Sequence, residues 1–228
     1  MTVEIEWREL GTMHYDEALR LQMDQASALL NGGEDRQAVF VVEHPRTITI
    51  GRNGSFANVV KPVQELEALG FTIREVDRGG DVTYHGPGQL VVYPVLHLAP
   101  WDNDVSAYVR KLEEVVIRSL AEVGIVGERV EAYPGVWVGE NKICAVGARV
   151  KRRSSGEFVT YHGFALNINT QLDDFATIVP CGIHDKGVTS IQKELGALQD
   201  FQEWAERIQR IFLSVFNAVV SPEVKVGR

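Results

Sequence analysis

The chain has few of the features that mark membrane proteins, disulfide-bonded secreted scaffolds or nucleic-acid-binding proteins. Its 228 residues include two cysteines, Cys144 and Cys181, which fit a reducing compartment without a disulfide framework. No apolar run approaches the ~20 residues of a membrane span, and the stretch from Met1 to Leu10 lacks the basic and apolar regions of a signal peptide. The formal net charge of -8 argues against a general nucleic-acid-binding protein. We therefore expect a cytoplasmic protein whose partners are neither nucleic acid nor membrane.

Motifs that bind metals or nucleotides are also missing. The two cysteines lie far apart and form no CxxC pair, so no cluster has zinc-ligand spacing. There is no GxxxxGK[ST] phosphate loop, and Arg78-Gly79-Gly80-Asp81 lacks the second half of a GxGxxG dinucleotide fingerprint. The sequence therefore predicts no metal and no cofactor.

The length and the order of the periodic segments predict one α+β domain over residues 1–228. Hydrophobic residues make up 45% and charged residues 24%, a balance that lets a chain of this length bury a core without staples. Helices and strands are mixed without a regular βαβ repeat, which argues against a Rossmann-type sheet. The predicted helices cover residues 16–30, 62–69, 105–123 and 201–219, and the predicted strands cover residues 38–43, 47–50, 71–76, 90–98, 136–138, 143–150 and 158–169. A hairpin turn is expected at Gly139-Glu140-Asn141.

A glycine-rich run from Arg78 to Leu90, with the sequence RGGDVTYHGPGQL, is the most informative stretch of the chain. Glycine allows positive φ and lets another group approach the backbone closely. Polar side chains between such glycines, just before the apolar run that ends at Leu98, predict a loop that lines a ligand. The alternative is a tight glycine-rich surface turn.

Three segments in order resemble the octanoyltransferases of lipoate synthesis, also called lipoyl(octanoyl) transferases. They are RGG-x-VTYHGPGQL, the lysine-bearing stretch from Gly135 to Arg149, and Thr160 to Asn167 (TYHGFALN) with the later Pro180-Cys181-Gly182. The resemblance runs from about His44 to about Leu195. It implies the fold of biotin and lipoate protein ligases, a mixed β-sheet flanked by helices.

The resemblance also implies a ping-pong acyl transfer. The donor would be octanoyl-acyl carrier protein, and the chain would pass through a thioester on Cys181. The acceptor would be the ε-amino group of a lysine on lipoyl domains of 2-oxoacid dehydrogenase E2 subunits or on the glycine-cleavage H protein. ATP is not needed, because the donor thioester is already activated.

Residue roles follow by the same resemblance, with Cys181 as nucleophile and Lys142 as the catalytic lysine. A free thiol with a pKa of about 8.5 is only slightly ionised near neutral pH, so a nearby cation would favour the reactive thiolate. Without the resemblance, Lys142 would be read as a solvated hairpin residue. The segments implied to line the acyl site comprise Arg78, Gly79, Gly80, Asp81, Val82, Thr83, Tyr84, His85, Ala145, Val146, Gly147, Gly163, Phe164 and Ala165.

His85 and His162 each stand in a Tyr-His-Gly triplet, which predicts a shared cleft. We expect them to orient the acyl carbonyl or to hold the turn geometry, with a Cys/His dyad as the rival assignment. Backbone N–H groups of glycine-rich turns are candidates for stabilising the oxyanion. They belong to Gly79, Gly80, Gly147 and Gly182. Cys144, inside a probable strand, is expected to be structural.

The basic cluster from Arg149 to Arg153 leaves two readings open. It is either a solvated hairpin end or a docking patch for an acidic acyl carrier protein or lipoyl domain.

Two other functions remain as alternatives. An ATP-dependent lipoate or biotin protein ligase shares the fold but carries an RR-x-SGGG-like loop, from which Arg78-Gly79-Gly80-Asp81 and the following HGPGQ depart. A non-catalytic acyl-binding protein would not need Cys181 and Lys142.

Overall fold

The computed structural model describes residues 2–32, 36–179 and 186–221. Strands and helices follow one another without a repeating unit. The strands are β1 (Val3–Thr12), β2 (Gln37–Glu43), β3 (Thr47–Ile50), β4 (Thr72–Glu75), β5 (Val82–His85), β6 (Gln89–Val95), β7 (Glu128–Val130), β8 (Tyr133–Val138), β9 (Asn141–Arg152), β10 (Phe158–Asn167), β11 (Gly187–Val188) and β12 (Ala218–Val220). The helices are α1 (Tyr15–Leu30), α2 (Val63–Ala68), α3 (Val105–Ala121), α4 (Ile191–Leu195) and α5 (Phe201–Phe216).

A large mixed sheet forms the centre of the fold, in the order β12-β1-β2-β6-β10-β9-β8-β7, with β11 beside β9. Strand β1 is parallel to both neighbours, whereas β2, β6, β10, β9 and β8 are successively antiparallel. The predicted α+β class with a mixed sheet is therefore what the chain adopts.

Helices cover both faces of the large sheet. On one face α3 and α5 bury their apolar sides in a core that includes Leu112, Val116 and Phe212. Asp104 caps α3 by accepting hydrogen bonds from the backbone N–H groups of Ser106 and Ala107, as expected for an Asp at that position. On the other face α1 packs over a second core that contains side chains of β2, β6 and β10.

A small sheet, in the order β4-β3-β5, lies apart from the large one. It has its own core, which includes Ile48, Ile50, Val82 and Tyr84 together with Leu66 of α2. Its strand β5 and the residues just before it, 78–81, are the part of the small sheet that faces the ligand cavity described below.

The predicted helices and strands occur close to their expected positions, with several differences. The predicted loop after Arg78 contains a strand, β5, because Val82 and Tyr84 bury their side chains in the small core. The last helix ends at Phe216 rather than Val219, because Asn217 takes a left-handed φ of 49° and β12 then pairs with β1. The short strands β7 and β11, the strand β1 and the short helix α4 were not predicted.

The hairpin turn is also one residue shorter than expected, since Asn141 already belongs to β9. Within the ranges that the structure covers, no helix is long and apolar enough to cross a bilayer.

Candidate active site

A cavity of about 560 Å³ lies between the large sheet and the small one. Its walls come from residues 78–83 before and within β5, from β9, and from β10, with Val91 and Tyr93 of β6 at its base. All the predicted lining residues except Tyr84 contribute to it, and so does Lys142. Their role in holding an acyl chain stays a prediction.

Small residues make room for the cavity along β9 and β10. Ala145 lies directly opposite Ala165, and Gly147 lies opposite Gly163, so four small residues form two adjacent cross-strand pairs on the same face. At Gly163 a side chain is excluded, because a Cβ would come within 2.1 Å of the carbonyl oxygen of Val92. The glycine therefore allows β10 to lie close to β6 beneath the cavity.

Arg78 fixes the glycine-rich loop to the small sheet. Its guanidinium is buried and donates from Nε and from a terminal nitrogen to the Thr49 hydroxyl, at 3.0 and 2.9 Å, and to the Thr49 carbonyl at 2.7 Å. The carboxylate of Asp81 accepts a hydrogen bond from the side chain of Asn58 at 2.7 Å. Because both ends of the 78–81 stretch are tied down, this wall of the cavity has a defined position.

Tyr84 is the predicted lining residue that the structure places elsewhere. Its ring packs against Phe71 and Phe175 in the small core, and its hydroxyl donates to Asp174 at 2.7 Å. Burial is the main cause that raises the pKa of this phenol, followed by the Asp174 carboxylate. Tyr84 therefore supports the wall from behind.

His85 and His162 both line the cavity, as their repeated triplets predicted. His85 Nδ1 lies 2.8 Å from the side-chain oxygen of Gln89 and donates to it. Burial, followed by the charges of His44 and Arg78, lowers the pKa of His85 well below its usual value. The imidazole of His85 is therefore neutral near neutral pH.

His162 is held in an unusual backbone conformation, with φ of 56° in the middle of β10. Its backbone N–H donates to the side-chain oxygen of Gln22 at 2.8 Å, and its Nε2 lies 3.1 Å from Asp77. Burial lowers the pKa of His162, although the Asp77 carboxylate opposes the shift. In turn, the hydrogen bond from His162 is the largest cause that holds the pKa of Asp77 well below its usual range, and a hydrogen bond from Tyr161 adds to it.

The two histidines belong to a larger buried cluster that the sequence did not predict. Rings of Tyr15, His44 and His85 lie 5.3 to 5.8 Å apart in pairs, and Tyr93 lies 5.8 Å from His44 and 6.4 Å from His162. His44 Nδ1 donates to the Met13 carbonyl at 2.7 Å, so its Nε2 accepts from the Tyr93 hydroxyl at 2.8 Å. The sequence signal that could have indicated this cluster is His44, which directly follows the apolar strand β2.

Lys142 is the second residue of β9 and not part of the turn. It lies opposite Trp137 of β8 on one side and Val188 of β11 on the other. Its Nζ donates to the carbonyl oxygen of Pro134 at 3.3 Å and lies 4.8 Å from the centre of the Trp137 ring. The lysine head group is therefore directed to the cavity wall formed by Tyr133 and Pro134.

Cys181, the predicted nucleophile, lies outside the described residues, as does Gly182. The described chain resumes on both sides of residues 180–185. Val179 donates its backbone N–H to the Asn58 carbonyl at 2.8 Å, and Val188 lines the cavity as the register partner of Lys142. The distance between Cys181 and Lys142 stays a prediction.

Cys144, the other thiol, is fully buried in β9, as expected for a structural residue. Burial raises its pKa, although the charge of Lys142 opposes the shift. Among the described residues, no group of three or more histidine, cysteine, aspartate or glutamate side chains is arranged to hold a metal ion.

Comparison with known families gives the class of protein to which this fold and cavity belong. Residues 14–213 match the model of the lipoyl protein ligase A/B catalytic domain. The fold is similar to the crystal structure of lipoate-protein ligase A bound with ATP, with a TM-score of 0.72 at 18% identity over 98% of this chain and 89% of that chain. The predicted fold, a mixed sheet flanked by helices as in lipoate protein ligases, is confirmed.

Two relatives with assigned activities show to which enzymes within this class the chain is similar. The chain is 44% identical over 215 residues to an octanoyltransferase of Solibacter usitatus, covering 94% of each chain. It is 45% identical over 210 residues to an octanoyltransferase of Chloroflexus aggregans, covering 91% of this chain and 93% of the relative. The chain therefore belongs to the octanoyltransferases of the lipoyl protein ligase A/B family, and it is an acyltransferase.

Proposed function

We propose that this acyltransferase moves an octanoyl group from octanoyl-acyl carrier protein, through a thioester on Cys181, to a lysine ε-amino group. The acceptors are lipoyl domains of 2-oxoacid dehydrogenase E2 subunits and the glycine-cleavage H protein, and the reaction takes place in the cytoplasm. One observation carries the proposal. In a chain 44% identical to an octanoyltransferase, a cavity floored by small residues has Lys142 in its wall, beside the strand that follows Cys181.

The cavity supports an acyl chain as its occupant. Ala145, Gly147, Gly163 and Ala165 leave space along its floor, and Val91 and Phe164 add apolar surface. Burying the six methylenes of an octanoyl group contributes about 5 kcal/mol, at about 0.8 kcal/mol per methylene. This contribution holds the chain while its carbonyl reacts.

In the first half-reaction the Cys181 thiolate attacks the carbonyl carbon of the donor thioester. A carbon–sulfur bond to Cys181 forms, and the bond to the carrier sulfur breaks. The Lys142 ammonium donates its proton to the leaving thiolate of the carrier. The products are an octanoyl-enzyme and the free carrier thiol, with Lys142 left neutral.

In the second half-reaction the acceptor amine attacks the carbonyl of the octanoyl-enzyme. A carbon–nitrogen bond forms, the bond to Cys181 breaks, and the proton lost from the amine passes to Lys142. The Cys181 thiolate and the Lys142 ammonium are regenerated together. A lysine suits this role because it can carry the proton between the two halves.

His85 and His162 have a positioning role in this mechanism. Both are buried with lowered pKa values, and each has a ring nitrogen committed to a fixed partner, Gln89 for His85 and Asp77 for His162. Two neutral rings held in this way orient the acyl group and leave the proton transfers to Lys142.

The covalent step is tested by intact-protein mass spectrometry after brief exposure to octanoyl-acyl carrier protein. We expect one added octanoyl group that hydroxylamine removes and that maps to Cys181. Cys181→Ser should not form this adduct, whereas Cys144→Ala, the matched change at the buried thiol, should form it normally. Near-normal octanoyl transfer by Cys181→Ser would refute the thioester mechanism.

The role of Lys142 is tested by measuring how fast Cys181 is alkylated as the pH is raised. Lys142→Ala should raise the apparent pKa of the thiol and slow both half-reactions, because it removes the nearby cation and the proton carrier. Lys193→Ala, at an exposed position on α4, serves as the control. An unchanged alkylation profile in Lys142→Ala would count against the role of this lysine.

A further inference from the structure

We propose that Trp137 is a positioning residue for the acyl transfer, because its indole supports both the Lys142 ammonium and the chain that follows Cys181. The inference rests on the proposed function, in which Lys142 and Cys181 act together.

The indole of Trp137 has a fixed place in the fold. Trp137 is 2% exposed, and its Nε1 donates to the carbonyl of Tyr133 at 3.2 Å within the same strand. In β8 it stands between Glu128 of β7 and Lys142 of β9 as the cross-strand partner of both. A rotation of the ring would therefore break the hydrogen bond to Tyr133 and disturb the packing of a buried side chain.

The indole and a backbone carbonyl together fix the Lys142 head group. Nζ lies 4.8 Å from the Trp137 ring centre and 3.3 Å from the oxygen of Pro134. A lysine has a flexible four-carbon stem, so without such contacts its ammonium samples many positions. A cation over a tryptophan face is attracted by the ring quadrupole, most strongly where water is excluded.

The Pro134 carbonyl, which accepts a hydrogen bond from Lys142, is held in place by a contact of the next residue with α3. The next residue, Gly135, donates its backbone N–H to the buried carboxylate of Glu113 at 2.9 Å, and Glu113 pairs with Arg129 at 3.1 Å. Gly135 has a φ of 135°, and a Cβ there would come within 2.4 Å of the Cys144 carbonyl oxygen. The Pro134 carbonyl thus offers Lys142 an acceptor at a set position.

The same ring also holds the chain after Cys181. Lys186 is the first described residue beyond 180–185, and its Nζ lies 5.5 Å from the Trp137 ring centre while pairing with Glu140. Two residues on, Val188 pairs with Lys142, and Thr189 donates its N–H to the Lys142 carbonyl at 3.0 Å. The Trp137 ring therefore contacts both Lys142 and Lys186, which follows Cys181 by five residues.

Among the described residues, the charged side chains on elements packed near Lys142 include four. They are Glu113 of α3, Arg129 of β7, Glu140 of the β8–β9 turn and Lys186 before β11. All four remain when Trp137 is replaced, but the replacement also removes the contact between the indole and Lys186, so the comparison in the Lys142→Ala background assigns a change in the titration of Cys181 to Lys142.

The test compares Trp137→Leu and Trp137→Phe with Trp204→Leu. Trp204 is a matched control, because it is 1% exposed and its ring lies under a cation, with Arg207 Cζ at 4.4 Å, but Arg207, unlike Lys142, does not line the cavity. We expect Trp137→Leu to lower kcat by about 2- to 5-fold, the size of a cation–π contact at a solvent-accessible lysine. The donor KM should change little, and Trp137→Phe should recover part of the loss.

The pH profile of Cys181 alkylation separates positioning from simple destabilisation. Trp137→Leu should shift the profile in the same direction as Lys142→Ala, and should add no further kcat loss when Lys142 is already alanine. Trp204→Leu should lose stability and keep the wild-type profile. If Trp137→Phe alone folds, the same comparison is made with it.

Two results would overturn the inference, and they are distinguishable. If Lys142→Ala shifts the profile and neither Trp137 variant does, the positioning role is wrong and the proposed function stands. If Lys142→Ala itself leaves the profile unchanged, the proposed role of the lysine fails and the role of Trp137 fails with it.

Discussion

Acidification is expected to destabilise the fold by protonating histidines that are neutral when buried, and His44 is the clearest case. Its ring is fully buried, with Nδ1 donating to the Met13 carbonyl and Nε2 accepting from Tyr93. Burial is the main cause that lowers its pKa from 6.5 to about 4. In the unfolded chain the same ring regains its ordinary pKa.

The sign follows from proton binding. Above the unfolded pKa of 6.5, neither the folded nor the unfolded state carries a proton on His44. In that range His44 therefore does not change the free energy of unfolding as the pH changes. Between 6.5 and about 4 the unfolded chain binds a proton that the folded chain does not, so the free energy of unfolding falls as the pH falls. With these two pKa values, the loss from His44 is about 2 kcal/mol at about pH 5 and approaches about 3.4 kcal/mol at lower pH.

Urea unfolding followed by tryptophan fluorescence at about pH 7 and about pH 5 measures this loss. His44→Gln removes the titrating ring, so its free energy of unfolding should fall by about 2 kcal/mol less than that of the wild type over this interval. His14→Gln, at an exposed histidine, should behave as the wild type does. Equal losses in His44→Gln and the wild type would refute the reasoning.

Two further predictions concern the cavity floor. Gly163→Ala should lower the free energy of unfolding by about 2 kcal/mol or more, because its Cβ would meet the Val92 carbonyl at 2.1 Å. Gly139→Ala, where an added Cβ would meet no atom of the described residues within 4 Å beyond its chain neighbours, should cost about 1 kcal/mol from its positive φ alone in the same urea assay. Ala165→Leu, at the pair with Ala145, should slow octanoyl transfer about 10-fold or more while butanoyl transfer changes less, as measured with a series of acyl donors. Equal slowing of both donors would show that the side chain does not limit chain length.

The sequence predicted those helices and strands whose signals lie within their own residues. Helix α3 begins after the capping side chain of Asp104 and carries its apolar residues at helical spacing, so its position follows from its own residues. The strand β5 does not have this property. Its four residues stand between glycines, and only pairing with β3 and burial of Val82 and Tyr84 in a distant core make it a strand.

The end of α5 shows the same limit. The helical pattern continues past Phe216, but Asn217 turns the chain so that Ala218 to Val220 can pair with β1. That partner lies more than two hundred residues earlier, so no window of sequence around α5 contains it.

For the site, motif order identified the stretches that line the cavity but not the residues behind them. Tyr15 lies in an ordinary amphipathic helix and Tyr93 in an apolar strand, so neither stands out without the fold. The nearness of Lys142 to Val188 likewise depends on the pairing of β9 with β11, which a two-residue strand cannot signal in sequence.

The two walls of the cavity pack on different hydrophobic cores, because the small sheet has a core of its own. One wall, with Lys142, Ala145 and Ala165, belongs to the large sheet and its two cores, and the other rests on Ile48, Ile50 and their neighbours. Regions with few buried contacts open at lower free energy than the rest of a fold. With the acyl chain in this cavity, as proposed, we expect substitutions that soften or stiffen the small core to change the acyl-chain preference without any change in a residue that lines the cavity.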